Sequence, residues 1–242
     1  MKALVKAVAV SSLVLAGSQA MATDVGNGFD ASANVGLVSD YLWRGISQSD
    51  KRGAIQGGLD LKHESGAYIG TWMSSVYLPY NGTKRANTEQ DGYIGYKFNV
   101  AELAFDLRYT DYHYAGATGL DFTETHADVS AFGAVVGVDY SNDTVTAAGT
   151  GSALHYYAGY SYTFPMDIVG TATVGRYDLK DDVIGNHSAY SYNSVGVSKT
   201  LLDINWGVAY SSTNVSSSGC ASYTTDKDYC GSAWVFSATK KL

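Results

Sequence analysis

Carboxylate, histidine and basic side chains share faces of extended segments in this sequence. Glu124, His126 and Asp128 stand two residues apart. Asp106 and Arg108 have the same spacing. Successive side chains of a β-strand point to opposite faces, so residues spaced by two lie on one face. Such a face can form ion pairs or attract cations. The polar residues with this placement are Asp30, Asn34, Asp40, Arg44, Gln56, Asp60, Lys62, Asp106, Arg108, Glu124, His126, Asp128 and Asp139.

The positions between these polar residues are mostly apolar. Along Phe29–Arg44, for example, Val35 and Leu37 alternate with polar or small residues. This alternation is longer than an ordinary globular strand of about five or six residues. Repeated alternation predicts about twelve β-strands. The predicted strands are Phe29–Arg44, Ile55–Lys62, Ala67–Leu78, Gln90–Phe98, Leu103–Tyr114, Phe122–Phe132, Ala134–Tyr140, Leu154–Phe164, Asp167–Leu179, Ser188–Thr200, Ile204–Ser211 and Ala233–Leu242.

Residues 1–22 have the features of a cleaved export signal. Lys2 and Lys6 form a short basic start, and Ala7–Ala16 is an apolar run that only Ser11 and Ser12 interrupt. Residues 20–22 read Ala-Met-Ala. Small residues at these positions predict cleavage before Thr23, and the sequence is also compatible with cleavage after residue 20. The apolar run is shorter than the ~20 residues of a spanning helix. We therefore predict a mature chain of residues 23–242.

Composition excludes several classes of protein. Removal of residues 1–22 takes away two lysines and leaves 14 basic against 23 acidic residues, a formal net charge of −9. Such a chain is a poor partner for nucleic acid. No apolar stretch of the mature chain reaches the length of a spanning helix. Charged residues make up 16%, below the ~25% of soluble domains. Few charges and many aromatics suit a sheet whose outer face contacts hydrocarbon.

These features predict an all-β fold, an antiparallel up-and-down β-barrel of about twelve strands that crosses the outer membrane. Long connections at Gly45–Gly53, Pro79–Thr88, Ser141–Ser152 and Ser212–Ser232 alternate with short turns such as Glu64–Gly66. Outer-membrane barrels have short periplasmic turns and longer extracellular loops, so both termini should face the periplasm. The competing architecture is a secreted β-sandwich, which also alternates. The strands of a β-sandwich are usually shorter than those predicted here, and their outward faces carry more charged residues.

Aromatic residues are expected to form two belts at the membrane interfaces, since amphipathic rings lie at the level of the lipid headgroups. The belt next to the short turns is predicted from Phe98, Phe132 and Phe164. The belt next to the long loops is predicted from Tyr41, Trp43, Tyr77, Tyr112, Tyr114, Tyr140, Tyr156, Tyr177 and Tyr210.

The segment Val35–Ser49 resembles the opening of the TorF-like porins, a proteobacterial family of proteins of unknown function. The shared pattern is Ser-Asp-Tyr at residues 39–41, Arg-Gly at 44–45 and Ser-Gln at 47–48. Segments 70–72, 91–96 and 196–199 are similar too, and the resemblance spans essentially the whole mature chain. It implies an outer-membrane location and a pore, but no substrate and no catalytic residues.

If the apolar faces contact lipid, the polar residues of the opposite faces, from Asp30 to Asp139, line the interior of the barrel. Acidic groups outnumber basic ones there, so a water-filled interior would favour cations or neutral polar solutes. The same charges could instead pair and fill the interior, because a barrel of intermediate size allows either arrangement. Arg44 and Asp40 share the inward face near the long loops, beside Asp60 and Lys62. Between a constriction and a stack of ion pairs, the stack is favoured, since Arg–carboxylate pairs rigidify.

Cys220 and Cys230 are the only cysteines, and they lie in the longest loop. The cell envelope is oxidising, so they are predicted to form a disulfide. Two thiols without a nearby histidine do not suit a metal site. No cofactor site and no metal site are predicted.

The sequence does not predict an enzyme. The five histidines are spread along the chain, no Gly-x-Ser-x-Gly segment occurs, and His63-Glu64 lacks the second histidine of a zinc-protease motif. Two classes of function therefore stay open. One is a channel for small polar solutes in the outer-membrane lipid, with a weak preference for cations. The other is a non-conducting barrel whose loops bind a partner or have a structural role. The sequence indicates no oligomeric state.

Overall fold

Twelve antiparallel strands form a closed barrel in the computed structural model, which describes residues 23–80, 84–146, 149–180, 184, 188–224 and 226–242. The predicted export signal lies outside the described residues. We number the barrel strands along the chain. They are β1 Phe29–Val38, β2 Ala54–His63, β3 Ala67–Tyr80, β4 Lys84–Val100, β5 Leu103–Ala115, β6 Phe122–Ala131, β7 Ala134–Thr146, β8 Gly149–Phe164, β9 Ile168–Leu179, β10 Ala189–Leu201, β11 Ile204–Thr213 and β12 Ala233–Lys241.

The ring closes because the last strand pairs with the first. The register of β12 and β1 runs from Ser237 opposite Val38 to Lys241 opposite Asn34. The short strand Thr23–Gly26 pairs with Phe29–Ala31 at the start of β1. A closed barrel leaves no sheet edge, and this is the way in which a sheet satisfies its backbone groups in hydrocarbon. The prediction of a twelve-stranded barrel is confirmed, and the β-sandwich alternative is wrong.

The outer face of the barrel is apolar, as the alternation predicts. Leu37, Ile55, Ile94, Val174 and Phe236 are each more than half exposed. A soluble monomer rarely exposes a contiguous apolar surface of this extent. The polar members of the alternation point inward, so the usual arrangement of apolar core and polar surface is inverted.

Short turns connect the strands at the end of the barrel that carries both termini. Leu202 (φ 54°) and Asp203 (φ 59°) join β10 to β11, and Phe132 (φ 54°) and Gly133 (φ 85°) join β6 to β7. Positive φ at both central residues is the conformation of the tight hairpin turn whose twist matches that of the strands. A 3₁₀ turn, Pro165–Asp167, joins β8 to β9.

Two of the predicted long loops are wrong. Most of Pro79–Thr88 belongs to β3 and β4, which end at Tyr80 and begin at Lys84. Most of Ser141–Ser152 likewise belongs to β7 and β8. Polar residues favour loops in sequence reasoning, but hairpins that extend beyond the membrane are solvated and tolerate them.

The first strand is also shorter than predicted, because β1 ends at Val38 rather than continuing to Arg44. Residues 39–53 form a loop, and within it Leu42–Trp43 pairs with Ile46–Ser47. The other long connections contain the 3₁₀ turn Thr118–Leu120 and the α-helix Ser217–Thr224. In the described parts of the chain, no helix has the length and apolar character needed to cross a bilayer.

The topology can be tested by cysteine labelling in a background in which Cys220 and Cys230 are replaced by serine. Thr118 is exposed in a connection at the long-loop end, and Ser65 is exposed in a turn at the opposite end. An impermeant maleimide should label Thr118→Cys on intact cells and should label Ser65→Cys only after the outer membrane is permeabilised. Labelling of Ser65→Cys on intact cells would show that the orientation is reversed.

Candidate functional site

The loop of residues 39–53, which we call the inner loop, folds into the barrel. Tyr41, Leu42 and Ile46 are buried, although they follow a membrane strand and precede another. Gly45 adopts φ 82°, and a Cβ at this position would lie 2.7 Å from Thr213 Cγ2. The inner loop can therefore make its tight turn against the barrel wall only with glycine here.

Arg44 lies at the tip of the inner loop and is held by the barrel wall. Its Nη2 lies 2.8 Å from Glu124 Oε1 and 3.3 Å from Asp139 Oδ2. The guanidinium also faces the rings of Trp43 and Tyr177, at 4.1 and 4.5 Å from their centroids. All three charged side chains are buried, so each charge needs its partner. Arg44 thus anchors the inner loop to strands β6 and β7.

The ion pairs continue into a pair of histidines. Asp139 lies 2.5 Å from His126 Nδ1 and 2.6 Å from His155 Nδ1. The second ring nitrogens of these histidines lie 3.0 Å from Asp128 Oδ2 and from the Tyr192 hydroxyl, respectively. The histidines are spread along the sequence, but the barrel brings two of them to one carboxylate.

Further towards the short turns, two more carboxylates have partners. The Tyr68 hydroxyl donates to Asp106 Oδ1 at 2.6 Å, and Lys97 Nζ lies 3.3 Å from Asp106 Oδ2. The Tyr93 hydroxyl donates to Asp60 Oδ1 at 2.6 Å. The stack of ion pairs expected between Arg44, Asp40, Asp60 and Lys62 is wrong, because Arg44 pairs with carboxylates of β6 and β7 instead. Among the described residues the interior ion pairs join residues of the inner loop and of strands β4 to β8.

Two interior carboxylates were missed by the sequence reasoning. Glu89 and Asp91 are buried on β4, and Glu89 accepts a hydrogen bond of 3.2 Å from the Tyr41 hydroxyl. Glu89 Oε2 and Asp91 Oδ1 have no hydrogen-bond partner among the described residues. The sequence contains a signal for their orientation, since the apolar residues Ile94 and Tyr96 occupy even positions of β4 and face lipid. Residues at odd positions, which include Glu89 and Asp91, must then face inward.

Several predicted interior residues lie apart from this network. Asp40 does not contact Arg44 but accepts hydrogen bonds from Ser47 Oγ at 2.6 Å and Ser49 Oγ at 3.0 Å. Burial raises the pKa of the Asp40 carboxyl above its usual value, while the two serines act in the opposite direction. Asp40 therefore shapes the inner loop rather than lining an open passage.

The remaining predicted residues are placed on β1, β2 and β5. Asp30 and Lys62 are exposed and stand opposite each other near the short-turn end. Asn34 is half-buried, Gln56 Nε2 lies 3.2 Å from Ser74 Oγ, and Arg108 faces the Tyr93 ring at 6.0 Å. None of these places a charge against Arg44.

The predicted aromatic belts are correct only in part. Tyr140, Tyr156, Phe132 and Phe164 are exposed on the outer face, as expected. Tyr41, Tyr112, Tyr114 and Tyr177, with Trp43, instead point inward and pack around the inner loop. The sequence shows that these rings are near strand ends, but a ring that faces lipid and one that faces a folded-in loop have the same neighbours along the chain.

The opposite wall of the interior carries small, uncharged side chains. Ser194 and Ser198 on β10 and Ala209 and Ser211 on β11 all point inward and are buried. The charged side chains of the interior are thus concentrated on strands β4 to β8.

Residues 214–232, which we call the disulfide loop, cover the inner loop. Cys220 and Cys230 form the predicted disulfide, and both are buried. Their neighbours in this packing include Ile46 of the inner loop and Tyr229. The Ser47 amide donates to the Tyr229 carbonyl at 3.0 Å. The two loops therefore fold together at the end of the barrel opposite the short turns.

Comparison with known proteins agrees with this architecture. The chain belongs to Gcw_chp, a bacterial protein family of unknown function, whose model matches residues 22–242. The structural match to the KdgM porin covers 86% of this chain and 98% of the porin chain, with 7% sequence identity and a TM-score of 0.54. The match to the NanC porin covers 86% of this chain and 97% of the porin chain, with 9% sequence identity and a TM-score of 0.53. No curated protein matches the sequence.

The likeness to these two structures shows a shared barrel fold. Together with the apolar outer face, a barrel fold of the porin type locates the protein in the outer membrane.

Replacing Arg44 should destabilise the inner loop strongly. Arg44→Ala leaves the buried carboxylates of Glu124 and Asp139 without their cation, which typically costs about 3–5 kcal/mol. Urea unfolding followed by tryptophan fluorescence measures the loss. Arg85→Ala is the control, because Arg85 is exposed and faces the ring of Tyr77. Equal stability of the two variants would contradict the anchoring role of Arg44.

Loss of the disulfide should loosen its loop without unfolding the barrel. Closing a loop of about ten residues is worth roughly 2–3 kcal/mol in the chain-entropy model. That stabilisation acts on the disulfide loop, while the closed sheet holds the barrel. Replacing Cys220 and Cys230 by serine should therefore speed trypsin cleavage after the exposed Lys227 and leave the unfolding midpoint of the barrel nearly unchanged. Two alkylatable thiols in protein taken from the envelope would contradict the bridge itself.

Proposed function

We propose that the protein is an outer-membrane channel for small polar solutes, narrowed at its extracellular end by the inner loop. The observation that carries this proposal is the inverted distribution of polarity in a closed barrel, with charged side chains inside and apolar ones outside. The porin fold supports it. The mature channel would comprise residues 23–242, following removal of 1–22, and it would carry out no catalysis.

The resemblance to TorF-like porins supports the same proposal. The Arg-Gly and Ser-Gln pairs at residues 44–45 and 47–48 build the tip of the inner loop, where Arg44 meets the wall and Ser47 hydrogen-bonds to Asp40. The most specific part of the resemblance is therefore the part that shapes the interior. We propose that this chain is a TorF-like porin.

A weak preference for cations follows from the charges of the interior. The acidic side chains pointing inward outnumber the basic ones, and Glu89 and Asp91 add to the excess found by sequence reasoning. A low-dielectric wall focuses the field of such charges on the aqueous space between them. Cations and neutral polar solutes should therefore enter more readily than anions.

The second candidate is a non-conducting barrel that acts through its loops. The burial of Arg44, Glu124 and Asp139 favours this candidate, because side chains fill the interior at that level. Conductance of the refolded wild-type protein in a planar bilayer decides between the two. If the protein is a channel, the wild type should give discrete conductance steps, and these steps should be larger in Arg44→Ala because the inner loop loses its anchor. Absence of conductance in both the wild type and Arg44→Ala would support the partner-binding barrel.

Ion selectivity tests the charge assignment. Reversal potentials in a salt gradient should show a weak cation preference, which fades as the Debye length falls from about 10 Å at 0.1 M salt to about 3 Å at 1 M. Asp106→Asn and Asp128→Asn should each shift the reversal potential towards anions. Leu107→Ala on the lipid face is the control and should leave selectivity unchanged. Anion selectivity of the wild-type channel would contradict the proposed cation preference.

A further inference from the structure

Three side chains with metal-ligating atoms converge on the wall formed by β5 and β6. Asp106, His126 and Asp128 each offer one ligand atom, and these atoms all lie within 4.8 Å of one another. Asp106 stands directly opposite Asp128 in the strand register, and His126 precedes Asp128 by two residues on the same face. The cluster lies closer to the short turns than Glu124 does, and thus on the periplasmic side of the Arg44 ion pairs.

The orientation of His126 is that of a metal-binding histidine. Its Nδ1 lies 2.5 Å from Asp139 Oδ1, which leaves Nε2 directed into the cluster, 3.0 Å from Asp128 Oδ2. Histidines that bind metals almost always donate their other ring N–H to a carboxylate or carbonyl, which fixes the ring and its tautomer. Asp139 is itself fixed by Arg44 and His155.

Tyr157 provides an independent indication of a ligand at this place. The side chain is 6% exposed, and its hydroxyl has no hydrogen-bond partner among the described residues. The ring lies over Gly137, where a Cβ would come within 2.6 Å of the hydroxyl oxygen. Gly137 stands opposite Asp128, so the phenol reaches from β8 across β7 towards the cluster. Buried hydroxyl groups are normally paired, and a bound ion or its water would pair this one.

We propose that Asp106, His126 and Asp128 bind one divalent transition-metal ion, with the Tyr157 hydroxyl facing the open coordination position. One imidazole nitrogen and two carboxylate oxygens suit Zn²⁺, which commonly takes three protein ligands and leaves a fourth position open. On binding, His126 Nε2 releases any proton it carries to solvent, and the metal replaces its hydrogen bond to Asp128. This site goes beyond the proposed channel and does not depend on conduction.

Two cations beside the cluster oppose metal binding. Lys97 Nζ lies 3.3 Å from Asp106 Oδ2, and Arg108 stands opposite His126 in the register. Removing the Lys97 charge should therefore strengthen metal binding. A gain in affinity is a useful readout, because partial unfolding of a variant would produce the opposite result.

The experiment is isothermal titration of the refolded, tag-free barrel in detergent with ZnCl₂. His63, His113 and His187 are first replaced by glutamine, so that these three histidines do not contribute. His155 is kept, because both of its ring nitrogens already have partners, in Asp139 and Tyr192. We expect one Zn²⁺ per chain in this background. Lys97→Met should bind more tightly. Heat-dependent migration on gels confirms that each variant is folded.

The ligand variants are compared with a matched carboxylate elsewhere on the wall. His126→Gln and Asp128→Asn should weaken Zn²⁺ binding by about tenfold or more. Asp139→Asn, which changes the group that orients His126 and also the partner of Arg44 and His155, should weaken it by about 10–100-fold. The Zn²⁺ affinity of Asp60→Asn should stay close to that of the background protein, since Asp60 accepts a hydrogen bond from Tyr93 and lies outside the cluster.

Absence of Zn²⁺ binding by the folded background protein would overturn the proposal. So would an affinity that His126→Gln and Asp128→Asn leave unchanged, because the ion would then be bound elsewhere. The readout is an equilibrium affinity and not a current, so failure of the metal site and failure of the channel are distinguishable.

Discussion

The ion pairs of Arg44 with Glu124 and Asp139 hold the interior of this barrel in its observed form. A guanidinium at the tip of a loop is favourable inside a barrel only if carboxylates on the wall meet it, since a buried charge without a partner is costly. Those contacts draw the inner loop away from the outer surface and bring Trp43 and Tyr41 with it. Asp139 in turn fixes the rings of His126 and His155. The charge on one loop therefore determines the arrangement of side chains on three strands.

Most of the barrel could be predicted from the sequence because the membrane imposes a simple rule on it. Side chains that face lipid must be apolar, and the period of a strand is two, so the outer face of β1 or β6 is visible in the alternation. The strand Phe122–Phe132 was predicted to within one residue of β6. Loops obey no such rule. Pro79–Thr88 and Ser141–Ser152 read as connections, but they lie in hairpins where solvent tolerates polar strands.

The interior was harder to predict than the exterior. Alternation indicates which residues point inward, and it correctly separates Asp106 and His126 from Leu107 and Ala127. It does not indicate which inward residues meet, because contacts across the interior join strands far apart in the chain. The Arg44–Glu124 contact spans 80 residues. Tyr41 and Trp43 continue the period of β1 and so read as members of it, until the loop turns inward after Val38.

The burial of the disulfide determines whether bond formation or loop packing occurs first. Neither sulfur is accessible once the disulfide loop has packed against Ile46 and Tyr229, since Cys220 and Cys230 are 0% and 2% exposed. An oxidant must reach the thiols before that packing occurs. The bridge should therefore form before the disulfide loop packs against the inner loop, so that the segment which packs there is already cross-linked.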